Sequence, residues 1–231
     1  MCGRFTHRFT WRELVELYRI TEPYIAPISH LQPRFNFAPM QRGIVVRPDK
    51  EGHREPVMMR WGLVPTWAKD DSGAARCINA KAETVAEKPM FRGAFKARPC
   101  LVPADGFYEW APVGAVGKQP YFITTKPGEP FAFAGLWEWW RAKGAAADAP
   151  GLETFTILTT EPNALCAPIH NRMPVMLAQD DWPRWLGTSE DRRALLAHAS
   201  FPAERMECWP VGKGVGNVRN EGPELVERIA A

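Results

Sequence analysis

Proline and glycine set the first limit on this chain, because 22 prolines and 18 glycines punctuate its 231 residues and leave little room for long helices. Between these breaks the runs are short and rich in β-branched and aromatic residues: GIVVR, EPVMMRW, PCLVPAD, FYEW, PYFITT, FAFAGLWEW, ETFTILTT, PVML and MECWPV. A few stretches read as helices instead. In TWRELVELYRI, Thr10 followed by Glu13 forms a capping-box pattern, with Trp11, Leu14, Leu17 and Tyr18 at helical spacing. Further helices are expected near AKAETVAE, DDWPRWL and SEDRRALLAHA. Many short strands with few helices predict an α+β fold: a single domain over residues 1–231, mainly antiparallel sheet with a barrel-like core and a few flanking helices.

A hydrophobic content of 45%, with 10 Trp and 12 Phe, is enough to fill a sizeable core. No apolar run approaches the roughly 18 residues that span a bilayer, and the start lacks a basic-then-apolar leader pattern, so a soluble, cytoplasmic protein is expected. The five cysteines (Cys2, Cys77, Cys100, Cys166 and Cys208) are odd in number and include no C-x-x-C pair. That argues against a disulfide framework and against a structural zinc site. The net charge of +3 is too small to name a nucleic-acid partner, although Arg4, Arg8 and Arg12 all precede the first acid, Glu13. On charge alone this strip reads as a solvated basic terminus. The stretch 141–151 reads as a surface loop, and VGKGVGNVRNEG (211–222) as a turn, since it fits neither phosphate-binding glycine motif.

Position 2 carries the most distinctive chemistry. Once Met1 is removed, Cys2 presents an α-amine and a thiol on adjacent carbons. An α-amine has a pKa of about 7.7 to 8.0, so far more of it is neutral near pH 7 than of a lysine. It can attack an aldehyde to give an imine, and the thiol can then close a five-membered thiazolidine ring at high effective concentration. A frayed terminus is the equal alternative. Asn79, before a helix-prone run, reads by default as an N-cap, with Lys81 able to add charge to an anion site at the helix start. Glu109 in FYEW is either a desolvated carboxylate with a raised pKa or, by strand alternation, a group facing water. His170 and Arg172 stand two apart before Pro174 and are expected to project from one face, a pairing suited to acid–base work on a phosphorylated ligand. The remaining histidines, His7, His30, His53 and His198, are read as surface or packing residues. Of the tryptophans in RWGLVPTWA, Trp61 is expected in the core and Trp67 on the surface, where an indole can stack on an unpaired base.

Seven segments in order resemble the SOS-response-associated peptidase (SRAP) family, whose members act on abasic sites in DNA. They are MCGRF, RFNFAPMQ (34–41), RWGLVPTWA (60–68), NAKAET (79–84), PADGFYEW (103–110), HNRMP (170–174) and VGNVRNEGPEL (215–225). The resemblance implies an enzyme that loses Met1 and captures the ring-opened aldehyde of an abasic site in single-stranded DNA as a Cys2 thiazolidine. It implies that Asn79 orients the Cys2 amine or the sugar, Glu109 moves protons during imine formation, and His170 assists opening of the deoxyribose ring. Arg4 and Arg172 would hold phosphates, Lys81 would add a contact, and Asn36, Pro39 and Trp67 would line the strand. No metal or cofactor is implied. The expected partner is single-stranded DNA bearing abasic sites, with the replication machinery as a further partner, and the protein is expected to be a monomer, nucleoid-associated when bound to DNA.

Two departures from the family pattern stand out. Lys81 replaces a usual arginine, keeping the charge but losing bidentate geometry, and Ala68 stands where a second aromatic is common. Two other functions share these residues: an N-terminal-cysteine hydrolase of peptidase or amidotransferase type, and a non-covalent reader of single-stranded or modified DNA.

Overall fold

The structure, a computed structural model, describes residues 2–21, 23–24, 31–115, 117–127, 130–146 and 148–229. Met1 and His30 therefore lie outside the described residues. The chain runs β1 (Phe5–His7), α1 (Trp11–Tyr18), β2 (Arg34–Phe37), β3 (Arg42–Pro48), β4 (Arg54–Trp61) and β5 (Asn79–Lys81). It continues through α2 (Arg92–Ala97), β6 (Pro99–Pro103), β7 (Gly106–Val113), β8 (Gly117–Thr125), β9 (Phe131–Trp140) and β10 (Leu152–Thr160). Last come β11 (Met173–Pro174), β12 (Met176–Ala178), α3 (Trp182–Leu186), α4 (Ser189–Leu196) and β13 (Met206–Pro210).

Two sheets form. One has five strands in the order β13-β8-β7-β1-β2. In the other, β10, β4, β3, β6 and β9 pair in succession and β9 pairs back to β10, so the expected barrel-like core is a closed ring of five strands. Closure removes the exposed edges that five such apolar strands would otherwise present. The pairing is mainly antiparallel, but β10 runs parallel to both β4 and β5.

Side-chain alternation divides the apolar residues between two cores. On β3, Val45 joins a cluster with Trp61, Phe133 and Phe155 of the barrel and with Phe5, Phe107 and Ile123 of the other sheet. Ile44 and Val46 instead join Leu14 and Tyr18 of α1, Phe95 of α2 and Trp182 and Trp185 of α3. Trp61 is the core residue expected, fully buried, with its indole N–H donated to the Ile78 carbonyl at 2.8 Å.

The capping box of α1 forms as the sequence predicts: the Glu13 amide donates to Thr10 Oγ1 at 3.3 Å and the Thr10 amide to Glu13 Oε2 at 2.8 Å. The helices expected at DDWPRWL and SEDRRALLAHA are α3 and α4. One expectation fails. AKAETVAE is not a helix, because Asn79–Lys81 pair with Ile157–Thr159 of β10 and the backbone is extended there. A series of turns follows, with the Thr84 amide on the Lys81 carbonyl at 3.1 Å and the Lys88 amide on the Thr84 carbonyl at 3.0 Å. Asn79 is accordingly a strand residue and not an N-cap: sheet pairing outweighs local helix propensity. Conversely α2, within a stretch the sequence leaves unassigned, forms against β6 and β9. The stretch 141–151 is a connection between β9 and β10, apart from Ala147, which lies outside the described residues. Among the described residues no helix is long and apolar enough to cross a membrane.

Candidate active site

Strand register brings the N-terminal segment to Glu109. β1 pairs with β7 through Phe5 opposite Phe107 and Thr6 opposite Gly106, and the Tyr108 amide donates to the Arg4 carbonyl at 2.9 Å. The chain before Phe5 is thus laid alongside Glu109. Alternation on β7 sends Tyr108 into a small cluster with Phe122 and Val211, and turns Phe107 into the main core. Glu109 shares the Phe107 face and is 4% exposed, so it is a desolvated carboxylate and does not face water. Burial raises its pKa above the ordinary carboxylate value, while the charge of His170 opposes that rise.

Cys2 is 0% exposed. Burial pushes its thiol far above the usual cysteine range, and the neighbouring Glu109 carboxylate adds to the shift, so the sulfur is protonated near neutrality. Its Sγ–H points to the Arg4 carbonyl at 4.0 Å, and its own carbonyl accepts from Asn79 Nδ2 at 2.8 Å. Asn79 is 9% exposed and held by the β5–β10 pairing, so the contact spans 77 positions of sequence on a rigid strand. All five cysteines are free thiols; Cys166 belongs to the same core as Cys2, and burial raises it to about 12.

His170 leaves a turn that Asn163 organises, with Asn163 Oδ1 accepting from the amides of Leu165 and Cys166 at 3.1 and 3.0 Å. The His170 amide then closes on the Cys166 carbonyl at 3.0 Å. The segment is not the extended pair of side chains that the sequence suggests, because the imidazole folds back onto the Arg172 backbone. Nδ1 lies 3.0 Å from the Arg172 amide and 3.1 Å from the Arg172 carbonyl, so the ring is held at Nδ1 by the Arg172 backbone. The Arg172 side chain turns the other way. Its Nη1 and Nη2 grip Glu83 Oε1 and Oε2 at 2.8 and 2.9 Å, and Nη2 also donates to the Thr159 carbonyl at 2.6 Å. Those hydrogen bonds, more than the charge of Lys81, hold the Glu83 carboxyl below its ordinary range.

The end of β10 makes this meeting possible. Thr159 is in register with Lys81 on one side and Pro174 on the other, so NAKAET and HNRMP converge although they are far apart in sequence. Glu83 is absent from the residues picked out by sequence. Its position two residues beyond Lys81 in NAKAET, with a carboxylate inside an otherwise basic rim, was the available signal.

The other expected strand-contacting residues divide into two groups. Arg4 Nη1 donates to Asn36 Oδ1 and to the Val215 carbonyl, each at 2.6 Å, and its guanidinium lies 5.9 Å from the Trp110 ring centroid. Asn36 is fully buried, and its Nδ2 reaches the carbonyls of Val215, Asn217 and Asn220 at 3.3, 3.0 and 2.9 Å. These two residues tie the start of the chain to the turn at 211–222. Trp67, by contrast, is 64% exposed, Lys81 is exposed and Pro39 is half-buried. The loop carrying Trp67 is braced by the Trp140 indole N–H on the Ala68 carbonyl at 2.8 Å.

The profile of the family described as "SOS response associated peptidase (SRAP)" matches residues 1–218. The chain belongs to the SRAP family. Among similar SRAP relatives, the abasic site processing protein YoqW of Bacillus subtilis (strain 168) is 38% identical over 229 residues, covering 98% of this chain and 99% of that one. The abasic site processing protein HMCES of Gallus gallus is 33% identical, covering 86% of this chain and 67% of its own. A crystal structure of a protein from Bacteroides thetaiotaomicron, 26% identical, superposes with a TM-score of 0.85 over 99% of this chain and 100% of that one. The α+β architecture described above is thus one that this crystal structure shares.

Proposed function

We propose that the protein is an abasic-site processing enzyme, acting as a single-domain monomer that crosslinks itself to abasic sites in single-stranded DNA through Cys2. The observation that carries this reading is the burial of Glu109 beside Cys2, with Asn79 on the Cys2 carbonyl. The names of YoqW and HMCES support the same substrate.

The chemistry follows from these placements. As the hemiacetal C–O bond breaks, the anomeric hydroxyl gives its proton to the His170 imidazole and the imidazole passes a proton to the departing ring oxygen, so the aldehyde forms with no net change in the protonation of His170. With Met1 removed, the Cys2 amine attacks the aldehyde carbon to give a carbinolamine. Glu109, whose pKa burial raises, donates a proton to the departing hydroxyl, and water leaves as the imine forms. The carboxylate so formed takes back the proton that nitrogen loses. The thiol, kept protonated by burial, then adds across the C=N bond: carbon gains sulfur, nitrogen gains the thiol hydrogen, and the thiazolidine closes. A protonated thiol is no handicap here, because the amine makes the first bond and the proton of the thiol is consumed in the last.

Two measurements test the reading. Intact mass spectrometry of the purified protein is expected to show loss of Met1. On denaturing gels after heating, wild type is expected to retain an abasic single strand and Cys2→Ala is not, since an imine alone hydrolyses. An undiminished heat-stable adduct with Cys2→Ala rules the mechanism out.

A further inference from the structure

The rim of the site carries a carboxylate for which the proposed chemistry has no use. The Glu83 side chain is 45% exposed and that of Arg172 only 13%, so the acid, not the base, faces solvent at this point. A guanidinium has five N–H bonds. Of those of Arg172, one on Nη1 and one on Nη2 go to the two Glu83 oxygens and the second on Nη2 goes to the Thr159 carbonyl. Nε is buried and has no hydrogen-bond partner among the described residues. One Nη1 N–H remains for a ligand. A phosphate seeking the bidentate contact that makes arginine a good phosphate binder must therefore displace Glu83, or else sit beside its negative charge.

We infer that Glu83 is a specificity-determining residue that occupies Arg172 in the free protein and competes with backbone phosphates for it. The inference rests on the reading of the site as one that binds single-stranded DNA. Its logic is that phosphates are the same in intact and damaged strands and carry no information about the lesion. A protein that held phosphates tightly would be sequestered on undamaged strands. By blunting Arg172, Glu83 keeps that shared contribution small, and discrimination passes to the covalent bond, which only an aldehyde can form. Arg172 also orients His170 through its own backbone, and the Glu83 grip on its side chain leaves that backbone contact intact while the exchange occurs.

The test uses the full chain and a fluorescein-labelled intact single strand titrated by anisotropy over a series of salt concentrations. Glu83→Gln keeps the shape and removes the charge. It is expected to bind the intact strand roughly two- to fivefold more tightly at low salt, the scale of one exposed ion pair. Freeing Arg172 for a phosphate should also steepen the dependence of log affinity on log salt by about 0.7. Both changes are expected to vanish in an Arg172→Ala background, and an intact competitor strand should suppress crosslinking of Glu83→Gln more than of wild type. Glu83→Ala, checked for an unchanged melting temperature, should repeat the result. Binding by Glu83→Gln no tighter than wild type, or a gain that persists without Arg172, overturns the inference while leaving abasic capture standing. Absence of binding to any single strand by wild type and variant alike, together with no crosslink, overturns both.

Discussion

The interior of the site and its rim are built on opposite principles. Inside, Cys2, Asn79 and Glu109 are almost wholly buried, Asn79 and Glu109 fixed by strand pairing and Cys2 held through its carbonyl by Asn79, and each carries a polar group whose burial costs free energy. At the rim, Lys81 and Trp67 are exposed, and the Glu83–Arg172 pair meets solvent through the acid. Interior groups cannot exchange partners without disturbing the sheet, whereas rim groups exchange them at small cost because exposed ion pairs are weak. Rate and affinity should therefore separate: interior substitutions change how fast the adduct forms, and rim substitutions change how tightly any strand is held.

The largest break in that comparison is Cys2→Ala, which is expected to abolish the heat-stable adduct while binding of an intact strand, measured by anisotropy, stays as in wild type. Next is Glu109→Gln. Removing a positioned proton donor should slow adduct formation by about 10²- to 10⁴-fold under saturating abasic strand in a quench-and-gel time course. The same substitution should raise stability at neutral pH. Because burial raises the folded pKa of Glu109, the native state holds a proton that the unfolded chain has already released above the ordinary carboxylate range. Stability contributed by that proton is present at low pH and is lost as pH rises through the folded pKa. Glu109→Gln removes this loss, so urea midpoints of the two proteins should converge in acid and diverge, with the variant higher, at neutral pH. A variant no more stable at neutral pH would place Glu109 in a less costly setting than its burial implies.

What the sequence made legible followed the same division. Punctuation by proline and glycine and the alternation in FYEW, PYFITT and FAFAGLWEW anticipate strands, because those signals are local. The capping box at Thr10 and Glu13 is equally local, and it forms. AKAETVAE has good helix formers but is an extended strand and turns, since its fate is decided by β10, more than 70 residues away. Alternation alone also left Glu109 undecided between core and solvent. It fixes which residues share a face and not which face is covered, and the covering layer here comes from other strands. The motifs of the SRAP family, not residue chemistry, drew Cys2, Asn79, Glu109 and His170 together. The Glu83–Arg172 contact was invisible because it requires NAKAET and HNRMP to flank the same end of β10.

On the rim, Trp67→Ala removes the most exposed large aromatic. If the indole stacks on a base, the loss is expected to be about 1 to 3 kcal/mol in affinity for single strands. The adduct rate at saturating strand should remain that of wild type. A slowed rate at saturation with unchanged affinity would instead assign Trp67 to the interior's work.

Lys81→Arg should have the smallest effect and is the most discriminating test of the rim. Lys81 lies at the end of β5 in register with Thr159, exposed and near Glu83, so its ammonium is already hydrated and partly offset by a carboxylate. Arginine restores a planar fork able to meet a phosphate with two parallel N–H bonds, but in water the gain over a point charge is modest. An increase of about twofold in affinity is expected, within the range of exposed ion pairs. The salt dependence should not change, because the number of positive charges is the same and so is the number of counterions displaced. This distinguishes Lys81→Arg from Glu83→Gln, which is expected to steepen it. A steeper slope for Lys81→Arg would mean that lysine makes no phosphate contact at all, and that the arginine creates one.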